Sequence, residues 1–140
     1  MKVENKTIII TDPCYIINKK QDSDWEKCDF GDDMGALGID NYICRSTGYC
    51  DWSCTTYDSD SGKEIGKFCA DAGLVAVFLL DEVLAYNPEF NYHTTKPWTT
   101  TVIPNFTGDV TFKVMPEEDW DIVSVVGRGN VNFHTEQTGF

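Results

Sequence analysis

Three aspartates occur in similar local settings, at points where an apolar segment ends or is interrupted. Asp12 lies in Thr-Asp-Pro-Cys-Tyr, Asp51 in Tyr-Cys-Asp-Trp-Ser and Asp71 in Cys-Ala-Asp-Ala-Gly, each with a cysteine one or two positions away. Carboxylates at strand ends can converge on a metal, a sugar hydroxyl or a cationic ligand. They can equally cap turns by accepting hydrogen bonds from their own backbone. The sequence leaves both interpretations open, a ligand site or turn chemistry.

Aromatic and polar side chains accompany these aspartates and complete a candidate ligand-binding site. The segment 43–58 holds Asp51 together with three of the six cysteines, two tyrosines and a tryptophan. The C-terminal segment from Asn132 combines aromatic, amide, hydroxyl and imidazole groups, which indicates an ordered terminus that lines a cleft. The predicted ligand-binding residues are Asp12, Tyr15, Tyr49, Asp51, Trp52, Asp71, Asn132 and His134.

The six cysteines raise the questions of metal binding and of nucleophilic catalysis. Structural zinc sites usually pair their ligands two to four positions apart, twice over, whereas Cys50 and Cys54 have no second pair at such a spacing. The pattern favours buried thiols that pack as small hydrophobic groups. It leaves metal binding undecided and predicts no cofactor. A cysteine nucleophile would need a base nearby. The candidates for that arrangement are Cys14, Cys50 or Cys69 with His93 or His134.

The net charge restricts the classes of partner. The chain has 23 acidic and 11 basic residues, a formal charge of -12. Such a surface repels nucleic-acid phosphates and anionic membranes, and no basic stripe is present. We therefore expect neither a nucleic acid nor a membrane as partner. A basic partner, a divalent cation or mimicry of a nucleic-acid backbone would suit the charge, although acidity also serves solubility.

The N-terminus predicts the compartment. Residues 1–10 contain no apolar run of signal-peptide length, and no segment approaches the ~20 apolar residues of a membrane helix. We expect a soluble, cytoplasmic protein whose cysteines are reduced.

Short β-rich segments with turn signals between them dominate the chain. The length of 140 residues fits one domain, residues 1–140. Ser23 can begin a short helix that carries Trp25 and Cys28. A single helical turn is expected after the strand that ends at Leu80, and a helix that continues to Tyr86 is the competing interpretation. The pattern predicts a mainly β fold, a single-domain antiparallel β-sandwich or barrel with one or two short helices. The predicted strands are 7–10, 39–44, 52–57, 65–70, 74–80, 98–103, 109–114, 121–126 and 131–135.

Three segments resemble motifs in a group of small uncharacterised proteins of bacteria and their phages. The segments are 11–16, 46–53 and 70–73. The group carries Asp-Pro-Cys-Tyr, Ser-Gly-Tyr-Gly-Asp-Gly and Asp-Ser-Gly motifs, and here Cys50 and Trp52 replace two glycines of the second. The resemblance implies no activity, but it marks the three aspartates as the shared positions.

Two functional hypotheses follow. The first is a non-catalytic binding or interaction domain whose aspartates and aromatics line a shallow polar cleft. Its partner would be an unidentified protein or a small polar ligand. The resemblance implies a phage-related role, in which the domain occupies a host protein or sequesters a small ligand. The alternative is a divalent-metal-dependent hydrolase that uses the three clustered aspartates, with His134 as acid or base.

Overall fold

The computed structural model describes residues 1–21, 23–47, 53–116 and 121–139. In these residues eight strands form one antiparallel sheet. The mainly antiparallel β class predicted from the sequence is confirmed, and the sheet is not a closed barrel. The strands are β1 (Lys2–Thr11), β2 (Tyr42–Ser46), β3 (Ser53–Asp58), β4 (Glu64–Cys69), β5 (Leu74–Leu79), β6 (Thr100–Pro116), β7 (Asp121–Gly129) and β8 (Phe133–Gly139). Their order in the sheet is β2-β5-β1-β6-β7-β8-β3-β4.

The neighbouring strands β1 and β5 bury side chains on both faces. Ile8, Ile9 and Ile10 are all fully buried. Because successive side chains of a strand point to opposite faces, Ile8 and Ile10 join one hydrophobic cluster and Ile9 joins another. Strand β5 follows the same rule, with Val77 in the first cluster and Phe78 in the second. Burial on two sides explains why residues 8–10 of β1 and the whole of β5 are continuous apolar runs without polar alternation.

Strand β6 is long and belongs to both halves of the sheet. Its first part pairs with β1, where Thr100 is opposite Thr11, and its last part pairs with β7, where Val110 is opposite Gly127. The sequence predicts two strands here, 98–103 and 109–114, whereas the structure has one strand of 17 residues. Residues 104–108, which separate the two predicted strands, belong to the strand, and Asn105 has a positive φ of 50° there.

The curl of the sheet encloses the first hydrophobic cluster. The hydroxyl of Thr56 in β3 donates to the hydroxyl of Thr101 in β6 at 3.0 Å, although these strands are not hydrogen-bonded neighbours. Gly66 of β4 also lies against Thr101. The cluster takes Ile8 from β1 and Phe133 from β8, so its side chains come from both halves of one sheet, as in a sandwich.

Helical segments cover the other face of β1 and β5 and form the second cluster. Ile9 and Phe78 pack there with Met34 and Val83 from the helical segments. The prediction of one or two short helices is confirmed by two α-helices. They are α1 (Asp24–Lys27) and α2 (Leu80–Tyr86), and 3₁₀ helices occupy Pro13–Tyr15, Asp29–Gly31 and Met34–Leu37.

Two further expectations concern thiols and membranes. The cysteines in the described ranges are unpaired, which agrees with the expected free thiols, and Cys50 lies outside those ranges. In the described part of the chain, every helix is too short or too polar to cross a membrane.

Candidate functional site

Asp12 joins two turns at the end of β1. It is the N-cap of the 3₁₀ helix Pro13–Tyr15 and is completely buried. Its Oδ1 accepts a hydrogen bond from the backbone N–H of Cys14 at 2.9 Å. Its Oδ2 accepts from the N–H of Ala72 at 2.7 Å and of Leu74 at 3.2 Å. Both carboxylate oxygens therefore have protein partners, in the manner of a turn cap that spans two chain segments.

Two effects compete on the Asp12 carboxyl group. Burial raises its pKa, whereas the backbone N–H donors lower it, and burial has the larger effect. A buried carboxyl group in this setting is held by the protein backbone on both oxygens. The contacts of Asp12 thus correspond to turn chemistry, the second of the two interpretations that the sequence leaves open.

Asp71 and Tyr15 lie in the same corner as Asp12. The Tyr15 hydroxyl donates a hydrogen bond to the Asp71 carboxylate. Burial raises the pKa of Tyr15, and the Asp71 carboxylate raises it further. Asp71 directly precedes Ala72, whose N–H binds Asp12. The structure therefore brings three of the predicted ligand-binding residues together, and their mutual contacts connect the 3₁₀ helix to the turn before β5.

Asn132 and His134 contact a different turn. The Asn132 side-chain amide donates to the Asp60 carboxylate at 3.1 Å. His134 Nδ1 lies 2.7 Å from the Ser59 hydroxyl, and its Nε2 lies 3.5 Å from the Glu136 carboxylate. These contacts hold the turn between β3 and β4 against β8. The predicted residues outside the described ranges are Tyr49, Asp51 and Trp52, and their roles stay predictions.

A cleft lies beside Cys14 and Tyr15. One of its sides is formed by residues 14–20, and the other by the loop 87–99, which precedes β6. Its volume is about 520 Å³, within the range of about 300–1,000 Å³ that is common for small-molecule sites. We call it the polar cleft. A neighbouring depression of about 440 Å³ shares four of its residues and extends to Trp25. The polar cleft is lined by Cys14, Tyr15, Ile17, Asn18, Lys19, Lys20, Asn87, Glu89, Phe90, Asn91, His93, Pro97 and Thr99.

Hydrogen bonds fix the first wall of the polar cleft, formed by residues 14–20. The Tyr86 hydroxyl accepts from the Asn18 backbone N–H at 3.1 Å and donates to Asp24 at 2.6 Å. The Asn87 side-chain amide donates to the Ile16 carbonyl at 3.0 Å. Burial is the main cause that raises the pKa of Tyr86 to about 12, so its hydroxyl keeps its proton at neutral pH.

The second wall is the loop 87–99, which is anchored to β1. The His93 carbonyl accepts from the N–H of Thr99 at 3.0 Å and of Thr100 at 3.3 Å. The Thr11 hydroxyl donates to the Thr99 carbonyl at 2.9 Å. These bonds hold a loop without regular secondary structure against the sheet. They place His93 in the same cleft as Cys14.

Cys14 is nevertheless poorly suited to nucleophilic catalysis. Burial raises the pKa of its thiol strongly, and the Asp12 carboxylate raises it further. The nucleophile of a cysteine enzyme is the thiolate, which a base or a positive charge must favour. Asp12 has the opposite effect, so Cys14 is a neutral thiol in the wall of the polar cleft.

Most of the residues that line the polar cleft are not among those that the sequence predicts. Tyr15 is predicted as a ligand residue, and Cys14 with His93 is one of several possible nucleophile–base pairs, but Asn18 and Lys19 are not predicted. One signal was available, because residues 87–97 lie between predicted elements and carry the aromatic residues Phe90 and Tyr92. Long loops in compact domains are often functional.

Two further searches concern metal sites and similar proteins. In residues 1–21, 23–47, 53–116 and 121–139, no group of three or more His, Cys, Asp or Glu side chains could hold a metal ion. Comparison of the chain with protein-family models, with curated proteins and with solved structures finds no match in any of the three.

Proposed function

We propose that this chain is a non-catalytic binding domain that sequesters a small polar ligand in the polar cleft. The observation that carries the proposal is the cleft itself, which has the volume of a small-molecule site and combines apolar and polar walls. Ile17, Phe90 and Pro97 supply apolar surface, while Asn91 and His93 supply polar groups.

The state of the reactive groups favours binding over catalysis. The Cys14 thiol keeps its proton because its pKa is raised. Both oxygens of Asp12 accept backbone hydrogen bonds, and Asp71 accepts one from Tyr15. General acid–base catalysis needs a titratable group within reach of the substrate and free to exchange its proton. Asp12 and Cys14 do not meet this requirement, and one oxygen of the exposed Asp71 is already bound by Tyr15.

The resemblance to small proteins of bacteria and their phages supports a phage-related role for this binding activity. A compact domain that holds a small ligand can lower its free concentration without transforming it. The alternative partner is a host protein, which would contact surfaces outside the polar cleft. The divalent-metal hydrolase is a weaker candidate, since Asp12 has no oxygen left without a protein partner.

Amide NMR with a library of small polar metabolites tests the proposal. We expect a binding compound to shift amide signals of residues 14–20 and 87–99. The chain has two histidines, and only His93 lines the polar cleft, which provides a matched pair of variants. His93→Ala should weaken binding, whereas His134→Ala should not.

Each other outcome has a definite meaning. If binding is lost in His134→Ala and kept in His93→Ala, the ligand binds at His134, as the sequence predicts, and not in the polar cleft. If no library compound binds, the small-ligand proposal is contradicted. Calorimetry with Mg²⁺, Mn²⁺ and Ca²⁺ tests the hydrolase alternative. Ion binding that is lost in Asp51→Ala would support that alternative.

A further inference from the structure

We propose that the ligand of the polar cleft carries an anionic oxygen group, a phosphate or a carboxylate, which Lys19 contacts. This inference rests on the proposed function and specifies its ligand. Three properties of the cleft support it: the charges of its lining residues, the hydrogen-bond donors that have no partner in the described part of the chain, and the apolar side chains next to these groups.

The charges of the polar cleft differ in sign from the rest of the molecule. Lys19, Lys20 and Glu89 are the lining residues charged at neutral pH. Glu89 forms an ion pair with Lys20, at 3.1 Å between Oε2 and Nζ. Lys19 has no ion-pair partner among the residues that the structure describes. Among the described residues, the cleft therefore offers one uncompensated positive charge, although the whole chain has a net charge of -12.

The hydrogen-bonding groups of the first wall are mainly donors. Asn18 Oδ1 accepts from the Lys20 backbone N–H at 3.1 Å. That bond assigns the oxygen of the Asn18 amide, since a nitrogen could not accept it. Beyond that bond, the side chain offers the two donors of its NH₂ group and one remaining lone pair of Oδ1. Lys19 adds three donors and no acceptor.

The carboxylate of the lining is already engaged, because Glu89 binds Lys20. A ligand rich in acceptor oxygens complements such a wall better than a cationic or donor-rich ligand. Hydrogen bonds to an ionised partner are also the stronger ones.

The apolar part of the polar cleft sets a second requirement. Phe90 is almost fully buried, and Ile17 and Pro97 line the cleft beside it. Inorganic phosphate alone would leave these apolar side chains in contact with water. The lining fits a small molecule that joins an anionic group to an apolar or ring-shaped body.

Two matched pairs of probes separate the contribution of the anionic group to binding from that of the ring. Adenosine monophosphate is compared with adenosine, and phenylacetate with phenylacetamide, by NMR titration at about 0.15 M salt, where distant acidic residues are screened beyond about 8 Å. We expect the anionic member of at least one pair to bind about fivefold more tightly, the scale of one partly exposed charge contact. Preference within the first pair identifies phosphate, and preference within the second identifies carboxylate.

Two lysine variants locate the charge. Lys19→Gln should abolish the preference for the anionic probe, while Lys113→Gln, an exposed lysine on β6, should keep it. If both members of each pair bind equally, or if Lys19→Gln retains the preference, the inference is overturned and the small-ligand function stands. The inference is also overturned, and the small-ligand function stands, if every library compound that binds the cleft is neutral. If no probe or library compound shifts the amides of residues 14–20 and 87–99, both proposals fail.

Discussion

Replacing Asp12 by alanine should destabilise the domain strongly. The change removes the carboxylate that accepts hydrogen bonds from the backbone N–H groups of Cys14, Ala72 and Leu74. An unsatisfied buried donor costs about 1–3 kcal/mol, so three donors set an upper range of about 3–9 kcal/mol. Removing the carboxylate also removes its own desolvation penalty, which is visible in its raised pKa.

The net loss should be about 3–5 kcal/mol, the lower part of that range, because the removed desolvation penalty offsets some of the cost. That is a large fraction of the 5–15 kcal/mol typical of a domain. Urea unfolding followed by tryptophan fluorescence measures it as a shift of the midpoint at constant slope. Asp12→Asn keeps one acceptor oxygen and should lose less, about 1–2 kcal/mol.

Asp58 provides the matched control. Its Oδ1 also accepts from two backbone N–H groups, those of Asp60 and Ser61, at 2.9 Å each. That turn is exposed, so water can replace the carboxylate in Asp58→Ala and the midpoint should move little. The reasoning is refuted if Asp12→Ala is no more destabilising than Asp58→Ala. It is also refuted if Asp12→Ala loses binding to the polar cleft at unchanged stability, because Asp12 would then be a ligand contact.

Three other predictions follow from packing and charge. Gly127→Ala should cost about 1–3 kcal/mol, because an added Cβ would lie 2.0 Å from a ring carbon of buried Phe133. Gly38→Ala meets no atom within 4 Å and bears only the strain of its positive φ, so an equal loss of urea midpoint in both variants would contradict the packing argument. Burial raises the pKa of Cys44 and of Cys54 to about 12 from 9.0. Their contribution to stability is therefore complete below pH 9.0 and is lost as the pH rises through about 12. Urea midpoints should fall over that interval, and less so in the double variant Cys44→Ala/Cys54→Ala; an unchanged fall would assign the effect to other groups. Finally, a gel shift with duplex or single-stranded DNA at low salt should show no complex, because the net charge of -12 opposes phosphate binding. A complex at micromolar protein would reveal a basic surface that the sequence does not indicate.

Local patterns in the sequence were sufficient to identify most strands and both short helices. The β-branched run around Ile9 predicts a strand because such side chains fit an extended, packed backbone, and the structure has β1 there. The apolar run 74–80 followed by helix-forming residues predicts β5 and then a helical turn, and α2 begins at Leu80. Each of these signals lies within a few residues of the element that it specifies.

The tertiary structure decided how these elements meet. The continuity of β6 depends on its pairing with β1 on one side and β7 on the other, and no short window of the sequence contains both partners. The role of Asp12 depends on Ala72 and Leu74, which are about sixty positions away. The polar cleft likewise combines the segment 14–20 with the loop 87–99. Such contacts are set by strand register and by the curl of the sheet, which are cooperative properties of the whole chain. For that reason the sequence could supply the aspartates and the histidines as candidates, while only the packed sheet determines which of them share a site.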